Sequence, residues 1–554
     1  MAPCAKGLYV STFNFDPARQ IIPRWRFLSD RHVLPESAGD PRRPNRARLD
    51  PSYLEQKVRD WEEQRSLGIA ADLFGEAMVT GEQDKALEVA KFILAEKEGV
   101  LPRVADRAQQ FLASRAPRDS DETQRSLLLP PDAKSAARAT VRRSRQRISR
   151  DARNMEAWLD LSRAYAVLGQ GPLSERAMAR ALMVAPDHRL SLRAAARLYV
   201  HVHQPERALA LVSKHPRTRT DPWLLATELA LNSMLGRTSK LMRQARDLVE
   251  SEHFAPSQLT ELNGALSTVN FTSGSLRHAR VHMRESLISP NDNAVAQARW
   301  VANQIGGVDV EAAARATANS YEARCWLSLQ NAAWSSALSE AHAWLLDEPF
   351  SSRPAIQSSF IAISLMEEHA LAAACARVGL VADPRNGTLL NNLTVALAYL
   401  GELQEAFQHY KEIPAEFSDD HPEFVHVATG ALLRFRSGDI TQGRELYQHA
   451  AEMAPAHRRW LVLAHWLKEE LEFDPRKATT VTELCEVLLK IAKDPMAKRL
   501  TELVQGRAKQ LLAVARNSEL VMTKHDQGMS LGSISRIAKS TAIQDRTSLP
   551  LKRE

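Results

Sequence analysis

The chain has 554 residues, 44% hydrophobic and 25% charged, which is enough for several domains or for one extended repeat array. A mean hydropathy of -0.32 and the lack of any apolar run of about 18 residues exclude a hydropathy-defined membrane span, and the polar groups that interrupt the first twenty residues exclude a secretory leader pattern, so the cytoplasm is the expected compartment. The 73 Lys and Arg against 66 Asp and Glu leave +7, too small an excess to demand a nucleic-acid partner by itself; Cys4, Cys325, Cys375 and Cys485 are too scattered for a disulfide framework or a zinc knuckle and read as small buried hydrophobes.

In chain order, residues 1–50 are rich in proline and arginine (IIPRWRF, DPRRPNRARLDP), a composition that predicts an irregular cap or flexible arm. Residues 51–113 begin with a capped helix from Ser52 and continue into a degenerate repeat unit. The prolines and polar residues of 114–133 predict a linker, 134–470 a run of repeats, and 471–516 C-terminal capping helices. From 517 to 554 the chain is rich in serine and threonine and weakly basic, which predicts a disordered tail.

The repeats rest on fixed offsets. Gly438, Gly443, Tyr447, Ala450 and Pro455 share their spacing with Gly169, Ser174, Met178, Ala181 and Pro186, and with Ala332, Ala337, Ala341, Trp344 and Pro349. Partial copies begin at Gly81, Gly274 and Gly401. Each element has a physical reason: a turn residue between two helices, small residues that let the second helix lie close to the first, and a proline that stops it. The preceding helix carries an apolar stripe, Trp158, Leu161, Tyr165 and Leu168 in one unit and Leu390, Leu393, Leu397 and Leu400 in another.

On these residues the chain resembles the tetratricopeptide repeat family, whose pattern is matched by Trp158, Leu161, Tyr165 and Pro186. The resemblance implies an all-α solenoid of stacked antiparallel helix pairs. Asn270 and Arg434 depart from it, standing where the pattern wants a large apolar residue, and 203–256 has a shortened second helix and an unusual turn at Pro216. The family's concave surface commonly receives a peptide or a partner helix, and by that resemblance Arg163, Arg193, Arg197 and Asn391 face a ligand.

Catalytic chemistry finds little support. Gly528, Ser530 and Gly532 spell a nucleophile elbow, but in a polar tail without the strand that presents the serine. His278, His282 and Glu285 share one helical face as metal ligands could, although solvated polar positions explain them more simply. His201 and His203 read as surface or capping groups beside a turn. No catalytic residue, metal site or cofactor is therefore expected.

The segment from Lys134 to Arg153 concentrates arginine, including Arg142, Arg143 and Arg145. Ala137, Val141, Ser144 and Ile148 would form a buried stripe, leaving the arginines either on a solvated face or as a surface for phosphate or carboxylate, with the solvated face favoured. The expected function is a non-enzymatic scaffold or adaptor that binds a partner segment, preferably acidic, along the concave face, as a regulatory subunit if that partner is an enzyme. The alternative is a helical-repeat protein that contacts nucleic-acid phosphate through residues 134–153.

Overall fold

The structure, a computed structural model, describes residues 19–26, 51–80, 83–96, 102–113, 133–251, 253–416, 422–492, 494–517 and Ile534. Outside 19–26 these residues are almost wholly helical, and no strand occurs among the described residues. The first helices are α1 (Pro51–Glu63), α2 (Leu67–Thr80), α3 (Gln83–Ala95) and α4 (Pro102–Ala113), with a core of their own around Trp61, Leu73 and Ile93. The arginine-rich α5 (Ala133–Arg150) follows and packs on α6 (Met155–Val167).

From α6 onward the helices stack as antiparallel pairs. They are α6 with α7 (Gly171–Val184), α8 (Arg189–His201) with α9 (Pro205–Lys214), α10 (Pro222–Met234) with α11 (Met242–Glu250), and α12 (Pro256–Thr272) with α13 (Leu276–Ser286). Next come α14 (Asp292–Ile305) with α15 (Glu311–Ala316), α16 (Tyr321–Gln330) with α17 (Trp334–Asp347), and α18 (Ser352–Ser364) with α19 (His369–Ala382). The last are α20 (Gly387–Leu400) with α21 (Leu403–Glu412), α22 (Glu423–Arg436) with α23 (Ile440–Met453), and then α24 (Arg459–Phe473), α25 (Ala478–Ile491) and α26 (Pro495–Asn517). First helices of successive pairs also pack on one another, α12 on α14 and α20 on α22 among them, so the fold is an α-solenoid.

Local chemistry places the helix ends. Asn154 accepts a hydrogen bond from the Ala157 amide at 2.9 Å and Asn386 from the Leu389 amide at 3.0 Å, capping α6 and α20. Pro186, Pro349, Pro384 and Pro455 each stand just beyond a second helix and cannot extend it. Between helices, Gly169 has φ +69 and Gly438 φ +91, in the left-handed region that glycine adopts without strain. Ala332, in the corresponding place, takes φ 56 despite its side chain. The close approach of paired helices is tightest at Gly443, where an added Cβ would lie 2.5 Å from the Phe435 ring.

The core follows the repeat pattern with small shifts. Leu161, Tyr165, Met178 and Ala181 are buried, as are Leu390, Leu393 and Leu397, but Leu400 is 41% exposed at the end of its helix. Arg434 is exposed while the adjacent Phe435 is buried against Tyr447, and Phe271, next to Asn270, packs edge-on to Trp300. At Arg434 the large apolar residue comes one position later than the pattern has it, whereas Asn270 keeps the buried position and Phe271 is half-buried beside it. The 203–256 unit keeps its short α9 and turns through a 3-10 helix at Pro216–Arg219. Cys325, Cys375 and Cys485 are buried.

The solenoid meets itself. Counting from α6 and α7, the seventh pair brings α19 back against α6. The seam is tight at Gly169, where a Cβ would stand 2.2 Å from the Val381 carbonyl oxygen. The interior of this turn is therefore enclosed. Most of the 114–133 linker and of the 517–554 tail lies outside the described residues; within the tail, Ile534 is fully buried in the core cluster that contains Met496 and Val504.

Candidate functional site

Inside that turn, residues Arg19–Arg26 (RQIIPRWR) run through the groove without secondary structure, in contact with six successive helix pairs. A proline and two β-branched isoleucines disfavour helix here and suit an extended path. Arg19, Gln20, Ile21, Pro23 and Trp25 are buried, and Ile22, Arg24 and Arg26 half-buried. Ile21 enters the core between α10 and α12, with Leu225, Leu229 and Leu262, and approaches so closely that a Cβ at Gly264 would lie 2.9 Å from its Cδ1. Trp25 packs edge-on to Phe350 at 5.4 Å.

The wall also grips the segment's backbone. Gln297 Nε2 donates to the Arg19 carbonyl at 2.8 Å, Asn293 Nδ2 to the Ile22 carbonyl at 3.0 Å, and Arg163 Nε to the Trp25 carbonyl at 2.7 Å. These contacts read a polypeptide rather than particular side chains.

Side-chain recognition comes from four carboxylates. Arg19 donates from Nε to Glu322 Oε1 at 2.9 Å, and from its other nitrogens to Gln297 Oε1 at 2.6 Å and Asn293 Oδ1 at 3.0 Å. Arg24 pairs with Glu322 and donates to Glu348 Oε2 at 2.6 Å. Arg26 donates to Asp347 Oδ2 at 2.8 Å and to Asp292 Oδ2 at 2.6 Å. Arg353, on the wall, also donates to Glu322 Oε1, at 2.7 Å.

Desolvation alone would keep such carboxyls protonated, but the guanidiniums reverse the balance. Arg19, Arg353 and Arg24 overcome the burial of Glu322 and hold it well below the usual carboxylate range. Burial is likewise outweighed at Glu348, which Arg24, Arg197 and Arg26 keep at about 2, and at Asp292, lowered by Arg26 and Arg24. Burial pushes Arg163 and Arg197 down to about 10, with Asp347 and Glu348 opposing it, so both remain cations at neutral pH.

Arg163, Arg193 and Arg197 do stand on the inner wall, but each is engaged there. Besides the Trp25 carbonyl, Arg163 donates to the Asp347 carbonyl at 2.7 Å, joining α6 to the end of α17. Arg193 donates to Glu261 at 2.7 and 3.0 Å. Arg197 donates to Ser351 Oγ at 3.3 Å and lies 4.9 Å from the centroid of the Phe350 ring. Asn391 sits in a later unit, where its Oδ1 accepts from Thr429 Oγ1 at 2.8 Å, and it does not touch residues 19–26.

On α5 the buried stripe is Ala137, Thr140 and Ser144, with Val141 and Ile148 half-buried. Arg142, Arg143 and Arg145 are exposed; Arg143 donates to Thr140 Oγ1 at 3.1 Å and Arg145 to the Tyr165 hydroxyl at 2.6 Å. His282 Nδ1 lies 2.9 Å from Asn263 Oδ1 and His278 Nδ1 2.9 Å from Ser275 Oγ, and among the described residues no three His, Cys, Asp or Glu converge as metal ligands. His201 is not a surface group: its ring stands edge-on to Phe350 at 5.5 Å, and burial lowers its pKa to about 3. The elbow at Ser530 lies outside the described residues.

The groove's carboxylates, Asp292, Glu322, Asp347 and Glu348, were not among the residues expected from the sequence to bind. Single acids on helices have no motif. The segment they hold did carry a signal, since Ile21, Ile22, Trp25 and Phe27 concentrate apolar side chains in an otherwise polar arm.

No protein-family model and no curated protein matches the sequence. Among solved structures, the chain is similar to the crystal structure of yeast Tom70 at 11% identity over 82% of this chain and 98% of that one, with a TM-score of 0.29. No helix among the described residues is long and apolar enough to cross a membrane.

Proposed function

We propose that the chain is a non-enzymatic protein-interaction scaffold that takes an extended segment of a partner protein into the groove inside its solenoid. One observation carries this reading: a non-helical stretch of polypeptide, residues 19–26, lies in that groove with three of its carbonyls hydrogen-bonded by the wall. Helical-repeat grooves bind through many modest contacts spread along a segment, and shape and charge complementarity take the place of covalent chemistry. A partner enzyme held in this way makes the chain its regulatory or targeting subunit.

An acidic guest, favoured by Arg163, Arg193 and Arg197 when they are read alone, is not retained. Those guanidiniums face carbonyls, Glu261 and an aromatic ring, while four carboxylates surround the same space. A second reading, binding to nucleic-acid phosphate, has one observation in its favour, the exposed Arg138, Arg142, Arg143 and Arg145 of α5.

The test is affinity purification of the tagged chain from its native host near physiological salt, with and without nuclease, followed by mass spectrometry and nucleic-acid quantification. The expected result is a stoichiometric protein that survives nuclease, changes with the Asp292→Asn/Asp347→Asn double variant, and is indifferent to Arg138→Ala/Arg142→Ala. Recovery of nucleic acid, with the proteins vanishing on nuclease treatment, overturns the scaffold in favour of phosphate binding.

A further inference from the structure

Residues 19–26 have the features of a bound ligand rather than of a structural element. They form no helix of the stack, and the wall is continuous without them, because α12 packs directly on α14 and α14 on α16. The turn has closing contacts that do not involve the segment, from Arg163 to the Asp347 carbonyl, from Arg197 to Ser351, and at the approach of Gly169 to Val381. The segment instead fills subsites: an apolar socket for Ile21, an aromatic one for Trp25, and acidic ones for Arg19, Arg24 and Arg26.

We propose that the groove is a binding site for arginine-bearing extended segments of a partner protein, and that residues 19–26 occupy it as an internal competitor. This rests on the scaffold reading above and specifies its guest. The pattern recognised is arginine at the first, sixth and eighth positions, with bulky apolar residues at the third and seventh. Charge makes the selection. Asp292 is shared by Arg24 and Arg26, and Glu322 by Arg19, Arg24 and Arg353, so a guest lacking arginine at these positions strands carboxylates away from water. Apolar burial of Ile21 and Trp25 supplies attraction without that selectivity. Because the competitor is tethered, its effective concentration is high, and a partner gains access by supplying additional contacts or by drawing the segment out.

The experiment uses the full chain with a site-specific protease sequence inserted between residues 27 and 50 and cut after folding. The probe is a fluorescent peptide of residues 17–28, PARQIIPRWRFL, followed by anisotropy. The uncut chain is expected to bind it at least tenfold more weakly than the cut chain after exchange. The same peptide with glutamate in place of its three arginines is expected not to bind, and unrelated peptides that keep only the arginine and apolar positions are expected to compete. The inference is overturned if the cut chain retains its segment and rejects the probe, if it loses its helical circular dichroism when the segment leaves, or if the glutamate peptide binds equally well. It is also overturned if the uncut chain proves to be a dimer that exchanges this segment between copies. A partner captured from the host whose binding is insensitive to excess probe peptide leaves the scaffold standing and removes only this inference.

Discussion

Arg163 donates from Nε to the backbone carbonyl of Trp25, 2.7 Å away across 138 residues of sequence. Its terminal Nη2 donates to the Asp347 carbonyl, so one guanidinium ties the groove's occupant and the closing edge of the solenoid to the same helix. The two carbonyls give hydrogen-bond partners to a cation whose pKa burial lowers to about 10, against the opposing pull of Asp347, Glu348 and Asp160. Arg163→Lys keeps the charge but not the fork, and is expected to cost about 1.5–3 kcal/mol, the range for hydrogen bonds to charged groups. Chemical denaturation measures the loss, and faster tryptic cleavage after Arg24 and Arg26 locates it at the segment. Cleavage unchanged from wild type would place the effect elsewhere.

Glu322 is the electrostatic hub of the groove, accepting from Arg19, Arg24 and Arg353 while only 2% exposed on its side chain. Glu322→Gln leaves buried Arg19 and half-buried Arg24 and Arg353 short of one negative charge. The expected penalty is about 3–5 kcal/mol, as for other buried pairs that lose one partner, read from the shift of the urea midpoint. A smaller loss, under about 1 kcal/mol, would mean that water reaches the site.

The turn residues give a pair of opposite predictions. Gly169 has φ +69 and no room for a Cβ beside the Val381 carbonyl, so Gly169→Ala strains the turn and pushes the seam between α6 and α19 apart. Ala332 already bears a left-handed φ of 56, and Ala332→Gly is expected to stabilise by up to about 1 kcal/mol by relieving it. Thermal unfolding of the two variants should move in opposite directions.

Acid should weaken the molecule in two stages. Burial drives His201 and His465 from an ordinary 6.5 to about 3 and His369 to about 4, so below pH 6.5 the unfolded chain takes up protons that the folded one refuses. Their contribution is complete above 6.5 and erodes as pH falls towards 3. Glu348 titrates at about 2 in the groove against 4.5 when free, and Glu322 and Asp292 are depressed as well. Their contribution is intact above 4.5 and lost on descending towards 2. Hydrogen exchange of residues 19–26 should therefore accelerate chiefly below pH 4.5, and Glu348→Gln should flatten that limb.

The repeat architecture could be read from the sequence because its causes are local. Asn154 and Asn386 cap helices with their own side chains, Gly169 and Gly438 turn the chain through backbone angles of their own, and the buried stripe of α5 follows from helical spacing within eighteen residues. Even the irregular unit at Pro216 announced itself by composition. What lies in the groove did not. An extended segment of eight residues has no periodicity to detect, and Arg19, Arg24 and Arg26 read as solvated charges until carboxylates 266 to 324 residues away are brought beside them. The inward registration of Arg163, Arg193 and Arg197 was legible, but their partners were not: Glu261 lies two helix pairs beyond Arg193, and Ser351 and the Asp347 carbonyl reach Arg197 and Arg163 only because the solenoid turns back on itself. Periodicity along the chain decided which surfaces are buried; the closure of the solenoid, a sum of small rotations over many pairs, decided which charges face one another.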